Sequence, residues 1–365
     1  MKKIFIVAGE VSGDRLAAWY VHKLRDQNPD VHIQAVGGSC LQEAGVNLFE
    51  HITALNVIGI VEIMRRLPYL LRFMRRLVNH IVEHQFDEVV VVDFPGFNLR
   101  LIKQLKKQNP ALTITYLSPP QLWCWGAWRV RKLKKYCDRV IVMYPFEVAW
   151  YQKRGLTVEW HGSPVYEAIV PYRQPGVAKE SCIALIPGSR SAEIEAMLPL
   201  FLAAAQILLK YYPELKFVLP VAPSTNPHAL RARAERHKLL HVWDKIELVS
   251  DEHEKFSRLA RCCAALSKPG TVTLELALLR VPTVIAFKIS WLTYVLARPL
   301  IRVTSMGLPN LLLSTTIAPE VIQFNCRAEV LAREVALLYH DFLMQTEKHH
   351  QRMVNFEVIS RSLSS

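Results

Sequence analysis

Two acidic side chains follow short apolar runs that are typical of buried parallel strands. Glu10 comes soon after Lys3–Ala8, and Asp93 comes directly after Glu88–Val92. Because ligands in doubly wound sheets bind beyond the carboxyl ends of the strands, we expect both carboxylates to face a cleft. Asp93 can act as a general base there if a substrate hydroxyl lies within hydrogen-bond reach. The alternative is a turn or helix-capping Asp.

The segment Gly9–Asp14 carries two glycines four residues apart, but it is neither GxGxxG nor a P-loop. The glycines allow a tight turn into a helix, which Ser12 or Asp14 is suited to cap. We also treat Ser12, Gly13 and Asp14 as candidate substrate-binding residues, together with Asn98 in the segment after Asp93.

Two later loops have the composition of phosphate sites. Gly188, Ser189 and Arg190 open one long helical pattern, and Gly270-Thr271 opens another. Helix N-termini offer N–H donors and a positive dipole end, and an arginine adds bidentate hydrogen bonds. The alternative for the first loop is a Ser/Glu capping box. Glu275, one turn into the second helix, is suitably placed to accept from ribose hydroxyls, so the two loops together fit a nucleoside diphosphate.

The chain contains no DxD sequence and no Cys/His cluster with zinc-ligand spacing. We therefore predict no metal and no cofactor. Helix dipoles, hydroxyls and Arg190 are then expected to stabilise the charge of a leaving group.

The elements that position these loops form two series of β-branched runs alternating with helical patterns, with a turn-rich break near 165–179. This alternation predicts an α/β protein with two doubly wound, Rossmann-like domains. We place an N-terminal domain at 1–170 and a second domain at 177–327, which carries the two phosphate-type loops and is the one expected to bind the nucleoside diphosphate. A helical segment at 328–365 is expected to be able to pack back on the first domain.

The 365 residues carry a net charge of +13, which suggests an anionic partner. The segment 60–78 has the apolar spacing of an amphipathic helix and five arginines. Such a helix suits an anionic membrane surface, and a core-facing helix with a solvated basic face is the alternative. The candidate membrane or acyl contacts are Ile63, Met64, Leu67, Leu70, Leu71, Arg72, Met74, Arg75 and Arg76.

A second basic run, 129–139, follows Trp123, Trp125 and Trp128. Tryptophans beside cations suit a membrane interface, but they also stack bases in proteins that bind single strands. A basic nucleic-acid-binding protein is therefore an alternative, although no RNP, KH or helix-turn-helix signature is present.

Taken together, the motifs resemble those of the lipid-A-disaccharide synthase family, inverting glycosyltransferases of the two-domain GT-B fold. Each motif is weak alone, but they occur in chain order over about residues 3–325. The matching segments are 7–14, 59–63, 67–71, 93–98, 118–119, 123–125, 144–147, 162–164, 187–190, 193–194, 270–275, 308–311, 319–320 and Gln323.

The resemblance implies transfer of a sugar from UDP-2,3-diacylglucosamine to the 6-hydroxyl of 2,3-diacylglucosamine 1-phosphate, giving a β-1,6-linked disaccharide phosphate and UDP. It implies that Asp93 is the base, or essential to it, and that Glu10 is a second essential carboxylate. The UDP site would be lined by Arg190, Gly270, Thr271, Glu275, Asn310 and Gln323.

The resemblance also implies a peripheral protein on the cytoplasmic face of the bacterial inner membrane. The uncharged stretch 303–319 leaves a homodimer open. A UDP-sugar epimerase of the same fold is the alternative chemistry, although it does not account for the arginine-rich helix.

Overall fold

The computed structural model describes residues 2–52, 60–173, 177–222, 225–289, 291, 294–295 and 305–364, without the side chains of 60–67 and 252–253. The chain divides into two compact units, Met1–Pro164 and Val165–Ser365.

The first unit is a parallel sheet with helices between successive strands. Its strands are β1 (Lys3–Ala8), β2 (His32–Gly37), β3 (Asn47–His51), β4 (Glu88–Val92), β5 (Thr113–Leu117), β6 (Arg139–Val142) and β7 (Glu159–Trp160). Its helices are α1 (Val11–Gln27), α2 (Ser39–Glu43), α3 (Ile60–Glu83), α4 (Pro95–Gln108), α5 (Val130–Tyr136) and α6 (Pro145–Gln152). The strand order is β3-β2-β1-β4-β5-β6-β7.

The second unit repeats this topology. Its strands are β8 (Glu180–Ile186), β9 (Lys216–Pro220), β10 (Ile246–Val249), β11 (Cys262–Ser267), β12 (Thr283–Phe287) and β13 (Glu320–Ile322). Its helices are α7 (Pro164–Ile169), α8 (Ser191–Tyr211), α9 (Pro227–Arg236), α10 (Leu240–Trp243), α11 (Glu252–Arg261), α12 (Thr271–Leu278), α13 (Leu308–Leu313), α14 (Ala328–Leu343) and α15 (Glu347–Leu363). The order β10-β9-β8-β11-β12-β13 is again parallel throughout.

Both sheets reverse direction of winding at one place. In the first sheet, β1 lies beside both β2 and β4, and in the second, β8 lies beside both β9 and β11. This reversal is the topological switch point, where the loops at the carboxyl ends of the two central strands diverge and leave room for a ligand. The predicted α/β class with two doubly wound units is confirmed.

The central strands are buried on both faces, which explains their uninterrupted apolar sequences. The residues of β4 are all buried, and so are those of β1 after Lys3. Helices α3, α4 and α5 contribute Phe73, Leu101 and Leu133 to one core with these strands. Pro68 lies inside α3, which continues without a break from Ile60 to Glu83.

The helix α8 is long and apolar enough, by length and composition, to cross a membrane. In the structure, however, its Phe201, Leu202 and Ala205 are buried in the core of the second unit, against α14. We therefore interpret α8 as a core helix.

The last two helices belong to the second unit. The helix α14 packs on α8, β11 and β12, while α15 packs on α12, α13 and α14. Arg173, just after α7, donates to both Glu357 and Ser360 on α15, and Glu357 also accepts from Arg280.

Candidate functional site

The two carboxylates that the sequence singled out flank the switch point of the first sheet. Glu10 follows β1 and Asp93 follows β4, and the two strands are paired up to Ala8 and Val92. Burial raises the pKa of Asp93 to about 6, and the neighbouring negative charge of Glu10 contributes to the rise. Such a value suits a base that must be ionised near neutral pH and still hold a proton well.

The main chain at Asp93 turns sharply out of the sheet. Asp93 and Phe94 have φ angles of +46° and +43°, in the left-handed region that non-glycine residues rarely adopt. Asn98, fully buried, donates from Nδ2 to the carbonyl oxygens of Val92 (3.1 Å) and Asp93 (2.8 Å). Its Oδ1 is buried with no partner among the described residues, so it is available to a hydroxyl or water at this turn.

The segment after β1 differs from the prediction in one respect. Glu10, rather than Ser12 or Asp14, occupies the N-cap position of α1, and it makes no capping hydrogen bond. Asp14 is buried and accepts from the main-chain N–H groups of Gly38 (2.6 Å) and Cys40 (2.9 Å), at the start of α2. Asp14 therefore links α1 to the start of α2, and its contact with substrate stays a prediction.

Among the residues that the structure describes, Ser12 and Gly13 make no hydrogen bond of this kind. Ser12 is exposed at the start of α1, and Gly13 is buried, with the carbonyl oxygen of Val92 3.7 Å from where a Cβ would stand. Their contact with substrate stays a prediction.

A buried carboxylate that we did not single out lies in the same unit. Glu147, on the first turn of α6, accepts from Trp123 Nε1 (2.9 Å) and from the main-chain N–H groups of Met143 and Tyr144 (3.0 Å each). Burial raises its pKa to about 7 although all three donors oppose the rise. The sequence signal was available, since Pro145 followed by Glu147 is typical of a helix start.

The two phosphate-type loops flank the switch point of the second sheet. One loop follows β8 and the other follows β11, its paired neighbour, with Ile186 opposite Ser267. Gly188 and Gly270 both have positive φ, at +116° and +154°. A Cβ on Gly188 would come 2.5 Å from Glu193 Oε2, whereas the space around Gly270 is open. The sequence therefore needs glycine at both positions, and the start of α12 is unobstructed.

An ion pair joins these loops. Lys268 Nζ donates to Glu193 Oε1 (2.8 Å), while Glu193 Oε2 accepts from the N–H groups of Ser189 and Arg190 at the start of α8. Burial alone would raise the pKa of Glu193, but the hydrogen bond and charge of Lys268 outweigh it, so the pKa is lowered. Lys268 thus holds the loops together, and the Arg190 side chain is 80% exposed.

Three other predicted UDP contacts have partners within the protein. Glu275 forms an ion pair with Lys255 (3.2 Å). Asn310 donates to Ala318 O and Glu320 Oε1 and accepts from the N–H groups of Ile317 and Ala318, so its amide is fully used.

Gln323 pairs with both main-chain polar groups of Ile289, at 3.2 and 2.9 Å. Each of these two side chains thus fixes a loop in the second unit. Their contact with UDP stays a prediction.

The basic helix α3 is only partly a surface. Met74 is 3% exposed, in the core, and Leu70 is half-buried against the same core, so their contact with acyl chains stays a prediction. Leu71 is 44% exposed, with Arg72 and Arg75 also exposed. Arg76 pairs with Glu50. The side chains of Ile63, Met64 and Leu67 lie outside the described residues.

A second exposed cluster precedes α5. Trp125 and Trp128 are 45% and 63% exposed, and the Arg129 guanidinium lies 4.1 Å from the centre of the Trp125 ring. Lys132 lies over Trp128 at 5.6 Å. The helices α3 and α5 each lead into the amino end of a parallel strand, so each helix begins near the carboxyl ends of the strands. The N-terminal half of α3 and the segment before α5 therefore lie at the same end of the sheet as Asp93.

The described part of the stretch 303–319 is buried in part and exposed at 314–316, and its contact with a second copy stays a prediction. From residue 305 on, its Leu308, Ile317 and Ala318 are buried within the second unit.

Two parallel α/β units of this topology define the GT-B fold class. The fold is similar to that of UDP-GlcNAc 2-epimerase from Neisseria meningitidis bound to UDP-GlcNAc, with a TM-score of 0.63 and 13% identity over 99% of both chains. It is also similar to that of an MnaA–UDP co-structure from S. aureus, with a TM-score of 0.62 and 14% identity over 100% of this chain and 93% of the other.

The sequence specifies the family more narrowly. The model of the lipid-A-disaccharide synthetase family matches residues 4–364, so the chain belongs to that family. It is 35% identical over 346 residues to a lipid-A-disaccharide synthase of Anaeromyxobacter dehalogenans, covering 93% of this chain and 88% of the relative. It is 33% identical to lipid-A-disaccharide synthase 1 of Legionella pneumophila, with the same coverage. The chain is thus a glycosyltransferase of lipid A disaccharide synthesis.

Proposed function

We propose that the chain transfers the sugar of UDP-2,3-diacylglucosamine to the 6-hydroxyl of 2,3-diacylglucosamine 1-phosphate, with Asp93 as general base. The observation that carries this proposal is the half-buried carboxyl of Asp93 beside Glu10 at the switch point, with its pKa raised to about 6. A substrate hydroxyl within hydrogen-bond reach of that carboxyl would be activated for attack.

In this mechanism the acceptor oxygen attacks C1 of the donor sugar while its proton passes to the Asp93 carboxylate. The bond between C1 and the diphosphate oxygen breaks, and UDP leaves with its electron pair. Attack from the face opposite UDP inverts the anomeric centre and gives the β-1,6 linkage.

The leaving diphosphate would bind at the loops after β8 and β11. The start of α12 at Thr271 supplies N–H donors, the Ser189 side chain supplies a hydroxyl, and the exposed Arg190 guanidinium supplies positive charge. In this assignment the second unit binds the nucleotide sugar, the first unit binds the acceptor, and Glu275 with its partner Lys255 lies near the ribose.

We also propose that the first unit docks on an anionic membrane. Leu71, Arg72 and Arg75 lie around Phe73, whose ring is 6.1 Å from that of Phe97 in the segment after Asp93, and they would share one surface with the cluster at Trp125–Lys132. Exposed tryptophan beside arginine and lysine is suited to the headgroup region of an anionic leaflet. The acyl chains of both substrates could then stay in the lipid while the sugars react.

The decisive assay incubates the purified chain with both acylated substrates and follows disaccharide phosphate and UDP together. We expect equal amounts of the two products, no UDP without acceptor, and full activity in EDTA. Asp93→Asn should lower kcat by about 100-fold or more, and Asp30→Asn, which changes an exposed carboxylate of the same unit, should not. Near-normal turnover of Asp93→Asn would overturn the base assignment.

The two alternatives give different results in the same preparation. An epimerase would convert a UDP-sugar without acceptor, and a nucleic-acid-binding protein would give a salt-dependent gel shift that depends on Arg129–Arg139. Membership of the synthase family supports neither the epimerase nor the nucleic-acid-binding alternative. A homodimer stays a prediction that light scattering of the purified chain would test.

A further inference from the structure

The main chain at Asp93 is held in its unusual conformation by contacts from three elements. Asp93 and Phe94 both lie in the left-handed region, at φ values of +46° and +43°. Two successive non-glycine residues do not stay there unless their surroundings over-determine the conformation. The position of the Asp93 carboxyl therefore depends on whatever fixes this turn.

On one side, the turn is fixed by packing against the loop that carries Glu10. The Phe94 ring lies so close to Gly9 that a Cβ there would come 2.4 Å from a ring carbon. Phe94 also stacks on Phe97, with 5.8 Å between ring centres.

On the other side, the carbonyl oxygen of Asp93 accepts two hydrogen bonds of 2.8 Å, one from Asn98 Nδ2 and one from the hydroxyl of Tyr116. Tyr116 lies on β5, next to β4, and is fully buried. Burial, and next the negative charge of Asp93, raise the pKa of Tyr116 well above its ordinary value, so the hydroxyl keeps its proton and donates.

We propose that Tyr116 is a positioning residue for the transfer reaction, which acts through its hydrogen bond to the Asp93 carbonyl and does not touch substrate. The inference rests on the proposed role of Asp93 as base. Without the hydroxyl, the Asp93 carbonyl loses one of its two hydrogen bonds and the left-handed turn relaxes. The Asp93 carboxyl then moves out of hydrogen-bond reach of the acceptor hydroxyl. Small displacements of a reacting group lower the rate far more than they lower substrate binding.

The experiment compares Tyr116→Phe with Tyr151→Phe. Tyr151 is equally buried in the same core, but its hydroxyl has no hydrogen-bond partner among the described residues. Each substitution removes one buried hydroxyl and keeps the ring. For Tyr116→Phe we expect kcat to fall about 10- to 100-fold with the KM of both substrates within about twofold, and we expect Tyr151→Phe to match the wild type.

Hydrogen exchange measures the turn itself. The N–H groups of Phe97 and Asn98 donate to Phe94 O at 3.2 and 3.0 Å, so they report directly on its conformation. Exchange in this segment should be faster in Tyr116→Phe and unchanged in Tyr151→Phe. If Tyr116→Phe does not fold, Asn98→Leu removes the other anchor on the same carbonyl and should also speed exchange at Phe97.

Wild-type kcat and wild-type exchange in Tyr116→Phe would overturn the inference, as would equal losses in both tyrosine variants. A wild-type chain that makes no disaccharide would overturn the proposed function instead, while the exchange comparison would still decide whether Tyr116 fixes the turn.

Discussion

Single carboxylates in this protein have very different tasks, and their surroundings decide which. Asp93 and Glu10 flank a switch point, where the negative charge of Glu10 makes ionisation of Asp93 harder. Asp14, four residues from Glu10, is occupied by main-chain N–H groups. The sequence places all three near strand ends, but it does not reveal which oxygens remain available.

The pH dependence of kcat/KM should show an acid limb near pH 6, because Asp93 accepts no proton once it is protonated. Below that pH, we expect activity to fall about tenfold per unit. Glu10→Gln removes the nearby negative charge, so ionisation of Asp93 becomes easier and the midpoint of the limb should shift downward.

The control for this profile is Glu43→Gln, an exposed carboxylate on α2. Its midpoint should equal that of the wild type. An unchanged midpoint in Glu10→Gln would contradict the electrostatic coupling of the two residues.

Glu147 predicts a pH effect on stability. Its pKa is raised from 4.5 to about 7 by burial, so the folded state binds this proton more tightly than the unfolded state does. Its contribution to stability is complete below about pH 4.5 and is lost as the pH rises through about 7. In Glu147→Gln this loss should be absent, and the unfolding free energy in urea should depend less steeply on pH between 5 and 7 than in the wild type.

Glu83→Gln, at an exposed position on α3, serves as the control and should keep the wild-type slope. If Glu147→Gln also kept that slope, the carboxyl of Glu147 would be ionised throughout this range.

At the scale of elements, the sequence predicts buried strands well and peripheral strands poorly. β12 (Thr283–Phe287) is an almost continuous apolar run, the pattern that predicts a strand buried on both faces. β3 lacks this pattern, because it lies at the edge of the sheet, has only two apolar residues, Leu48 and Phe49, and has no buried residue. Hydrophobic runs reveal burial on two faces, and an edge strand lacks that signal.

The same limit applies to Asn310 and Gln323. Their polar side chains in motif positions suggested ligand contacts, but each is buried and satisfied by its own neighbours. Only the folded chain reveals those partners, because Ile289 is far from Gln323 in sequence.

The link between the loops after β8 and β11 predicts an effect on nucleotide binding. Lys268→Met removes this link and takes away the nearer of the two cations that pair with Glu193, beside the proposed diphosphate site. We expect calorimetry to show UDP binding weakened by about 5- to 50-fold, the range of one lost charge-assisted hydrogen bond.

Arg333→Met is the matched control, since it removes an exposed positive charge from the same unit, paired only locally with Glu334. If Lys268→Met bound UDP as tightly as the wild type, the diphosphate would not bind at these loops.

At the scale of the whole molecule, the net charge of +13 matters most where it is concentrated. Arg72→Glu with Arg75→Glu should abolish flotation with anionic vesicles, because attraction of exposed cations to the leaflet becomes repulsion. Arg231→Glu with Lys210→Glu changes the net charge equally on the second unit and should leave flotation intact. Equal loss in both pairs would indicate a general charge effect and no specific docking surface.

The contacts of Arg173 join the two ends of the second unit. Arg173 lies eight residues after Val165, where this unit begins, and its partners Glu357 and Ser360 lie in the final helix. When the two ends of a unit lie close together, a short peptide can join them and new termini can be introduced elsewhere in the chain. A circularly permuted second unit, newly opened in an exposed loop, should therefore fold as a separate UDP-binding module.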